Sequence, residues 1–206
     1  IGAPVLLEID VVRTVDLSCF ESDNGEIEVS AQGGSGILTI ELEELGLTGN
    51  VFNALPAGLY IATVTDGNLC EASIQVDISQ PNAIDADYST EDISCFGYQD
   101  GRLVINGVSG GSGSYSLAFN SDTIISNLSS AVIDTLATGL NVFTIIDAND
   151  CPLTLMFTID EPEALNAVLD VRDPRCQGQA NGTVDFTVSG GTGPFNAFVL
   201  DPSSGD

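Results

Sequence analysis

The chain has 206 residues and a formal net charge of −26, because 30 acidic residues face four arginines and there is no lysine and no histidine. This charge argues against partners with clustered phosphates, so we expect no binding to nucleic acid or to an anionic membrane surface. Without histidine or lysine the chain also lacks the base of Ser-His-Asp and Cys-His nucleophiles and the amine of a Schiff base, and we expect that it is not an enzyme.

Three similar segments follow one another, and each opens with a proline-led strand pattern, at Pro4, Pro81 and Pro162. Proline suits the head of an edge strand, where its missing N–H costs no ladder hydrogen bond. Because the chain starts and stops in mid-pattern, we expect it to be part of a longer protein. The predicted repeat units are residues 1–80, residues 81–161 and an incomplete unit at residues 162–206.

In each unit a cysteine is followed, six positions later, by a glycine that itself follows Asn or Asp, as Cys19 is followed by Asn24-Gly25. This dipeptide predicts a tight two-residue turn before a short alternating strand. The strand leads into Gly-Gly-Ser-Gly or Gly-Gly-Thr-Gly, at residues 33–36, 110–113 and 190–193. Because strand patterns lie on both sides, these tetrads indicate hairpin turns with positive φ and not phosphate-binding loops, which would open a helix.

Residues 55–70 and 136–151 align without a gap and are identical at seven of sixteen positions. Each predicts a strand, a turn and a cysteine that opens the last strand of its unit. Counting the alternating segments gives about seven strands for a unit of about 80 residues and no helical period, so we predict an all-β chain of tandem immunoglobulin-like β-sandwiches placed end to end. Tyr60 suits the tyrosine corner of this fold, although Asn141 takes its place in the second unit.

Five cysteines fall on the repeat: Cys19, Cys70, Cys95, Cys151 and Cys176. Pairing within units joins Cys19 to Cys70 and Cys95 to Cys151, with the partner of Cys176 beyond residue 206, although sequence alone leaves other connectivities open. A zinc site is the alternative, but it would need histidine or closely spaced cysteines. Disulfides imply an oxidising, extracellular location, and in the chain-entropy model such long loops stabilise each unit by roughly 3–4 kcal/mol.

Taken together, these motifs resemble the SprB repeat family. In the second unit the matching motifs are Cys95, Asp100-Gly101, Gly110-Gly111, Leu136 to Gly139, Asp147 to Cys151 and Glu161-Pro162. The resemblance implies a very large cell-surface adhesin of a gliding bacterium, exported by the type IX secretion system, in which the repeats form the stalk of a filament. Other multidomain extracellular proteins carry similar repeats, so the gliding adhesin is one of several settings that the resemblance allows.

We therefore expect a structural and adhesive module whose partners are the neighbouring repeats of the same chain. One alternative is a binding module for a polysaccharide or another surface protein, with Phe52 and Tyr98 as candidate aromatic contacts, and another is a set of accessory repeats on a secreted enzyme. No apolar run approaches the roughly 18–20 residues of a membrane span, so we expect no membrane insertion. The short junctions at Pro81 and Pro162 also predict a stiff rod.

The turns before the last cysteines offer hard oxygen ligands of the kind that calcium prefers. The candidate ligands are Asp66, Asn68, Asp147, Asn149 and Asp150. The same residue types favour tight turns, which is the interpretation that we prefer. We expect no cofactor, and calcium is the weaker alternative.

Two threonines, Thr123 and Thr135, lie in Asp-Thr-aliphatic tripeptides that resemble an O-glycosylation signal of the bacterial phylum implied by the family. Both are in a segment where the second unit is longer than the first. Asn127 and Asn181 match the N-glycan sequon, but the implied bacterial source makes that interpretation weaker.

Overall fold

The computed structural model describes residues 5–120 and 122–198, and all of its helix or strand content in these ranges is β-strand. The first repeat contains β1 (Val5–Val15), β2 (Gly25–Gly34), β3 (Thr39–Leu42), β4 (Leu47–Thr48), β5 (Val51–Leu55), β6 (Gly58–Thr65) and β7 (Glu71–Ile78). The second contains β8 (Asp85–Glu91), β9 (Gly101–Ser109), β10 (Tyr115–Phe119), β11 (Asp122–Leu128), β12 (Ala131–Leu136), β13 (Gly139–Ile146) and β14 (Pro152–Ile159). The third contains β15 (Asn166–Arg172) and β16 (Thr183–Ser189). The all-β fold and the count of about seven strands in each full repeat are confirmed.

The strands of the first repeat form two antiparallel sheets, ordered β1-β2-β5 and β4-β3-β6-β7. Consecutive strands β2 and β3 belong to different sheets, and so do β5 and β6, so the chain crosses between the sheets as in an immunoglobulin-like sandwich. In the second repeat the sheets are β8-β9-β12 and β11-β10-β13-β14, which is the same order. Strands β15 and β16 pair as β1 and β2 do.

Burial in the first repeat follows the two-residue alternation that the sequence predicted. Ile27 and Val29 of β2 are buried while Glu28 between them is not, and Ala62 and Val64 of β6 face them from the other sheet as buried side chains. Successive side chains of a strand point to opposite faces, so each sheet contributes one apolar face to the core. The remaining core residues are Ile9, Leu17, Ile40, Leu42, Phe52, Leu55, Tyr60, Val76 and Ile78.

The described residues fall into two compact units that do not coincide with the repeats. One draws on Ile1–Ala86, Val108–Leu128 and Thr144–Thr154, and the other on Asp87–Gly107, Ser129–Phe143 and Leu155–Asp206. The second repeat contributes to both units. The repeat boundaries therefore stay a prediction from the sequence pattern.

The Asn24-Gly25 dipeptide does not form the predicted two-residue turn. Strands β1 and β2 are joined by residues 16–24, and Gly25 is the first residue of β2. A Cβ on Gly25 would lie 2.7 Å from the Leu55 carbonyl oxygen, so the glycine is required by close backbone approach. The Asn24 side chain accepts a hydrogen bond from the Ser18 N–H at 3.1 Å and so shapes the loop. The turn prediction was wrong because an Asn-Gly pair is favoured both in a tight two-residue turn and where an asparagine shapes a loop next to a closely packed glycine.

The glycine tetrads have the predicted positive φ, but they do not form hairpins: β2 and β3 lie in different sheets, and so do β9 and β10, so the first two tetrads carry the chain from one sheet to the other. Gly33, Gly110 and Gly190 have φ of +83°, +79° and +67°, a conformation that glycine adopts without the steric cost of a side chain. A Cβ on any of the three would lie 1.8 to 2.1 Å from a carbonyl oxygen of the segment that follows the leading proline. The tetrad therefore fixes where the proline-led segment of each repeat lies.

The tyrosine corner is present in the first repeat, and the second repeat keeps its hydrogen bond with a different side chain. Tyr60 donates from Oη to the Pro56 carbonyl at 2.8 Å. Asn141 donates from Nδ2 to the carbonyls of Ala137, at 3.3 Å, and Gly139, at 3.1 Å. Ala137 is the counterpart of Pro56, so the substitution preserves the contact.

A disulfide-linked junction as the candidate functional site

Asp66 shapes the turn that presents the second cysteine of the first repeat. Its Oδ1 accepts the N–H groups of Asn68, at 2.8 Å, and Cys70, at 2.9 Å, and its Oδ2 accepts the Ser35 N–H at 2.8 Å. The Asp66 N–H in turn donates to the Cys70 carbonyl. One buried carboxylate thus joins the glycine tetrad to the cysteine turn.

Asp147 repeats this geometry in the second repeat. Its Oδ1 accepts the N–H groups of Asn149, at 2.8 Å, and Cys151, at 2.9 Å, while Oδ2 accepts the Ser112 N–H at 2.7 Å. Asp66 and Asp147 are both 5% exposed. A carboxylate that accepts three N–H groups has few lone pairs left, so these two candidate calcium ligands serve the turn.

The hydrogen bonds favour the ionised form of both carboxyl groups. The N–H of Cys70, with those of Ser35 and Asn68, lowers the pKa of Asp66 against the effect of burial. Burial by itself raises the pKa of Asp147, but the donors from Ser112, Cys151 and Asn149 outweigh it, and the pKa is lowered. The turns are therefore held by charged acceptors at neutral pH.

The disulfide in the structure joins Cys19 to Cys151, with a Cα–Cα distance of 5.6 Å and a sequence separation of 132 residues. This finding contradicts the predicted pairs Cys19–Cys70 and Cys95–Cys151. The bond links the first cysteine of one repeat to the second cysteine of the next, and both residues belong to the same compact unit. Pairing from one repeat to the next preserves the periodicity as well as pairing within repeats does, so the spacing could not separate the two.

Contacts beside the disulfide also connect the two repeats. Asn149 donates from Nδ2 to the Ser18 carbonyl at 3.0 Å. A groove of about 240 Å³ lies next to the bond, and its lining includes the half-exposed ring of Phe20. The groove residues are Cys19, Phe20, Asn82, Ala83, Ile84, Gly111, Cys151, Pro152 and Leu153. Phe20 was not predicted as a site residue. Phe96 takes the same place directly after Cys95, and this recurrence could have indicated that a phenylalanine lines the groove beside each of these cysteines.

A second groove, of about 370 Å³, lies beside Cys95 in the second and third repeats, and part of its lining corresponds to that of the first groove. Its residues are Ser94, Cys95, Phe96, Pro162, Glu163, Ala164, Leu165, Gly191, Thr192 and Phe195. Cys95, Cys70 and Cys176 are exposed free thiols. Among the residues that the structure describes, the first groove therefore lies beside a disulfide-bonded cysteine, Cys19, and the second lies beside a free one, Cys95.

The remaining metal candidates, Asn68, Asn149 and Asp150, are exposed residues of the two turns. Asn149 uses its side chain on Ser18, and Asp150 is exposed with a φ of +62°. Across residues 5–120 and 122–198, no three His, Cys, Asp or Glu side chains are placed to hold a metal ion. Calcium binding stays an untested prediction.

The glycan and sugar candidates are placed differently. Thr123 and Thr135 are exposed on the edge strands β11 and β12, where a modifying enzyme has access to them. Phe52 is 3% exposed and belongs to the core, so its proposed contact with sugar is wrong. Tyr98 is exposed. Within the part of the chain that the structure describes, no helix has the length and apolarity to span a membrane.

Comparison with known families agrees with the recurring geometry. The family model of the SprB repeat matches residues 11–44, 88–120 and 168–196, which begin in β1, β8 and β15. A search of curated protein sequences finds no match to the chain. The three recurring segments therefore match the SprB repeat, and the resemblance that the sequence pattern predicted is confirmed.

Proposed function

We propose that the chain is a structural and adhesive module in the stalk of a large, secreted cell-surface adhesin filament. SprB repeats belong to surface-associated proteins, which supports a location outside the cell. The observation that carries the proposal is the disulfide between Cys19 and Cys151, because it ties consecutive repeats covalently. A stalk has to transmit tension between modules, and such a bond gives tension a path besides the peptide chain.

The disulfide sets how much of the chain can be extended by a pulling force. A force applied to the two ends of the chain bypasses the closed loop between Cys19 and Cys151, which spans 132 residues. At about 3.4 Å per extended residue, the loop hides roughly 450 Å of contour length while the bond holds. Most of the first two repeats would then be shielded from stretching.

Single-molecule pulling tests this shielding. We expect unfolding under oxidising conditions to release about 450 Å less length than unfolding in a thiol reductant. In the 206-residue chain Cys70→Ser is the matched control, because Cys70 is a free exposed thiol there and its loss should leave the hidden length unchanged. Release of the full length without reductant would overturn the tension-bearing role.

The match to the SprB repeat also supports the finer proposals. We propose that the full protein acts in gliding motility, that the type IX secretion system exports it, and that it has no enzymatic activity. Deleting whole repeats in the source bacterium should then shorten the surface filament without removing it. Loss of a catalytic activity on deletion would instead indicate accessory repeats on a secreted enzyme.

A binding module for a polysaccharide or a partner protein is the second candidate function, and the exposed ring of Tyr98 is the observation that favours it. Aromatic rings exposed in loops are typical contacts for sugars. Titration of the chain with cell-surface polysaccharides by calorimetry tests this candidate, with Tyr98→Ala as the variant that should lose the heat of binding. A heat signal that the variant retains would exclude this ring as the contact.

Glycans on Thr123 and Thr135 remain part of the proposal because both threonines are exposed. Intact-peptide mass spectrometry of protein from the source bacterium should find sugar on both. Bare threonines at both positions would remove the idea, and replacing each with alanine should abolish any added mass.

A further inference from the structure

The loop that carries Cys95 has the same hydrogen bonds as the loop that carries Cys19. The Leu17 N–H donates to the Ser79 carbonyl at 3.0 Å, and the Ile93 N–H donates to the Asp160 carbonyl at 2.9 Å. In each case the contact ties the residue two positions before the cysteine to the end of the last strand of its repeat. Cys95 is therefore presented by its repeat in the way that Cys19 is.

The opposite wall of each groove is also the same. The Gly111 N–H donates to the Asn82 carbonyl at 2.8 Å, and the Gly191 N–H donates to the Glu163 carbonyl at 2.7 Å. These bonds fix the proline-led segment of the following repeat against its own glycine tetrad. Two sides of the groove beside Cys95, the loop of Cys95 and the proline-led segment of the third repeat, are therefore held by the same hydrogen bonds as in the first groove.

The two grooves share the cysteine-phenylalanine pair, the proline-led segment and a tetrad glycine, and they differ in the wall that bears the second cysteine and in Phe195, which lines the second groove alone. In the first groove this wall is formed by Cys151, Pro152 and Leu153. The second groove has no counterpart of these residues in its lining, and Cys95 is exposed while Cys151 is buried. By the repeat step of about 80 residues, the counterpart of Cys151–Leu153 in a complete third repeat would open its last strand and would come after residue 206.

We propose that the groove beside Cys95 receives the segment of the third repeat that corresponds to Cys151–Leu153, and that Cys95 forms a disulfide with the cysteine of that segment. The inference rests on the proposed function in one respect, namely that the repeats continue in the longer protein. The occupant is argued from the first groove, where the equivalent segment of the second repeat fills the same place.

The bond forms by oxidation of two thiols. Each thiol loses one proton and one electron, and the two sulfurs join; the disulfide of an extracytoplasmic thiol–disulfide oxidoreductase accepts the electrons and is reduced to two thiols. By the same rule Cys70, whose turn matches that of Cys151, is the partner for the first cysteine of a repeat that precedes the first one. Each disulfide would then span one junction, and consecutive covalent loops would overlap along the array.

Thiol labelling of the full-length protein under denaturing, non-reducing conditions tests the proposal. Peptide mapping should find Cys95 bonded to the third-repeat cysteine. In Cys95→Ser that cysteine should become labelled while Cys151 stays protected by Cys19. The matched variant Cys19→Ser should expose Cys151 and leave the Cys95 bond intact, which reports on the pairing even if one variant folds poorly.

Three outcomes would overturn the proposal. Labelling of Cys151 in Cys95→Ser would mean that pairing runs within repeats. A bond between Cys95 of one molecule and Cys70 of another, seen as covalent dimers without reductant, would make a second copy the occupant. A free Cys95 thiol in the full-length protein would mean that the groove stays open. None of these outcomes depends on whether the filament is an adhesin, so failure here is distinguishable from failure of the proposed function.

Discussion

Replacing Cys19 with serine should destabilise the compact unit that holds the disulfide, because it opens a loop of 132 residues. The chain-entropy relation gives about 5 kcal/mol at 25 °C for a loop of this length, and measured losses for native disulfides fall at about 2–5 kcal/mol. The smaller serine side chain would be tolerated sterically, because the Cys19 side chain is only partly buried. We therefore expect a loss of about 2–5 kcal/mol in the free energy of unfolding.

Urea unfolding of the 206-residue chain without reductant measures this loss, and Cys70→Ser is the matched control. The structure predicts a large loss for Cys19→Ser and for Cys151→Ser, no further loss when the two are combined, and a change within about 0.5 kcal/mol for Cys70→Ser, since Cys70 is an exposed free thiol. Equal losses for Cys19→Ser and Cys70→Ser would refute the reasoning, because they would show that these two cysteines are bonded to each other.

Three further predictions concern the turns and the corner. The free energy of unfolding should fall as the pH falls below 3.8, the ordinary pKa of an aspartate carboxyl group. N–H donors, above all that of Cys70, hold the pKa of Asp66 in the folded protein below this value. The stabilisation by the Asp66 carboxylate is therefore complete above pH 3.8 and is lost as the pH falls through the folded pKa. Urea titrations across this range should show a smaller acid loss in Asp66→Asn, and an unchanged profile would contradict the role of the charge. Gly110→Ala should lower the free energy of unfolding by about 3 kcal/mol, because the new Cβ would lie 1.9 Å from a carbonyl oxygen. Gly113→Ala should lower it by only about 1–2 kcal/mol, because Gly113 has a φ of +73° but open space around it. Equal thermal midpoints for the two variants would argue against the clash. Tyr60→Phe should lower the free energy of unfolding in urea by about 0.5–1.5 kcal/mol, since it deletes the hydroxyl that donates at the corner, and an unchanged value would mean that this hydrogen bond has no net effect.

The strands and the repeats could be predicted because their signals are local. Alternation at Ile27 and Val29 follows from the geometry of a single strand, and the Gly-Gly turns follow from the backbone conformation that they need. The turn predicted at Asn24-Gly25 and the sugar contact predicted for Phe52 were wrong because each of these local signals has two structural uses. A glycine next to asparagine is used both in tight turns and at close backbone approaches, and aromatic residues occur both in cores and on binding surfaces.

The hydrogen-bond roles of Asp66 and Asp147 could be predicted only in part. Their recurrence in the turn before a cysteine indicated a structural task, but oxygen-rich turns also bind calcium. The donors that occupy both carboxylates include the N–H groups of Ser35 and Ser112, more than thirty residues earlier in the chain. Hydrogen bonds between residues this far apart in the chain cannot be recognised from a short segment of sequence.

The sequence by itself determined the match to the SprB repeat, the all-β fold and the strand count, because each depends on short-range periodicity and on residues at fixed steps. Only the tertiary structure decided the partner of Cys19. In a repeating chain every first cysteine has equivalent second cysteines at regular intervals, and sequence spacing ranks none of them above the others. A disulfide forms where two Cα atoms come within about 4.4–6.8 Å, and the fold brings Cys19 to 5.6 Å from Cys151 in the next repeat.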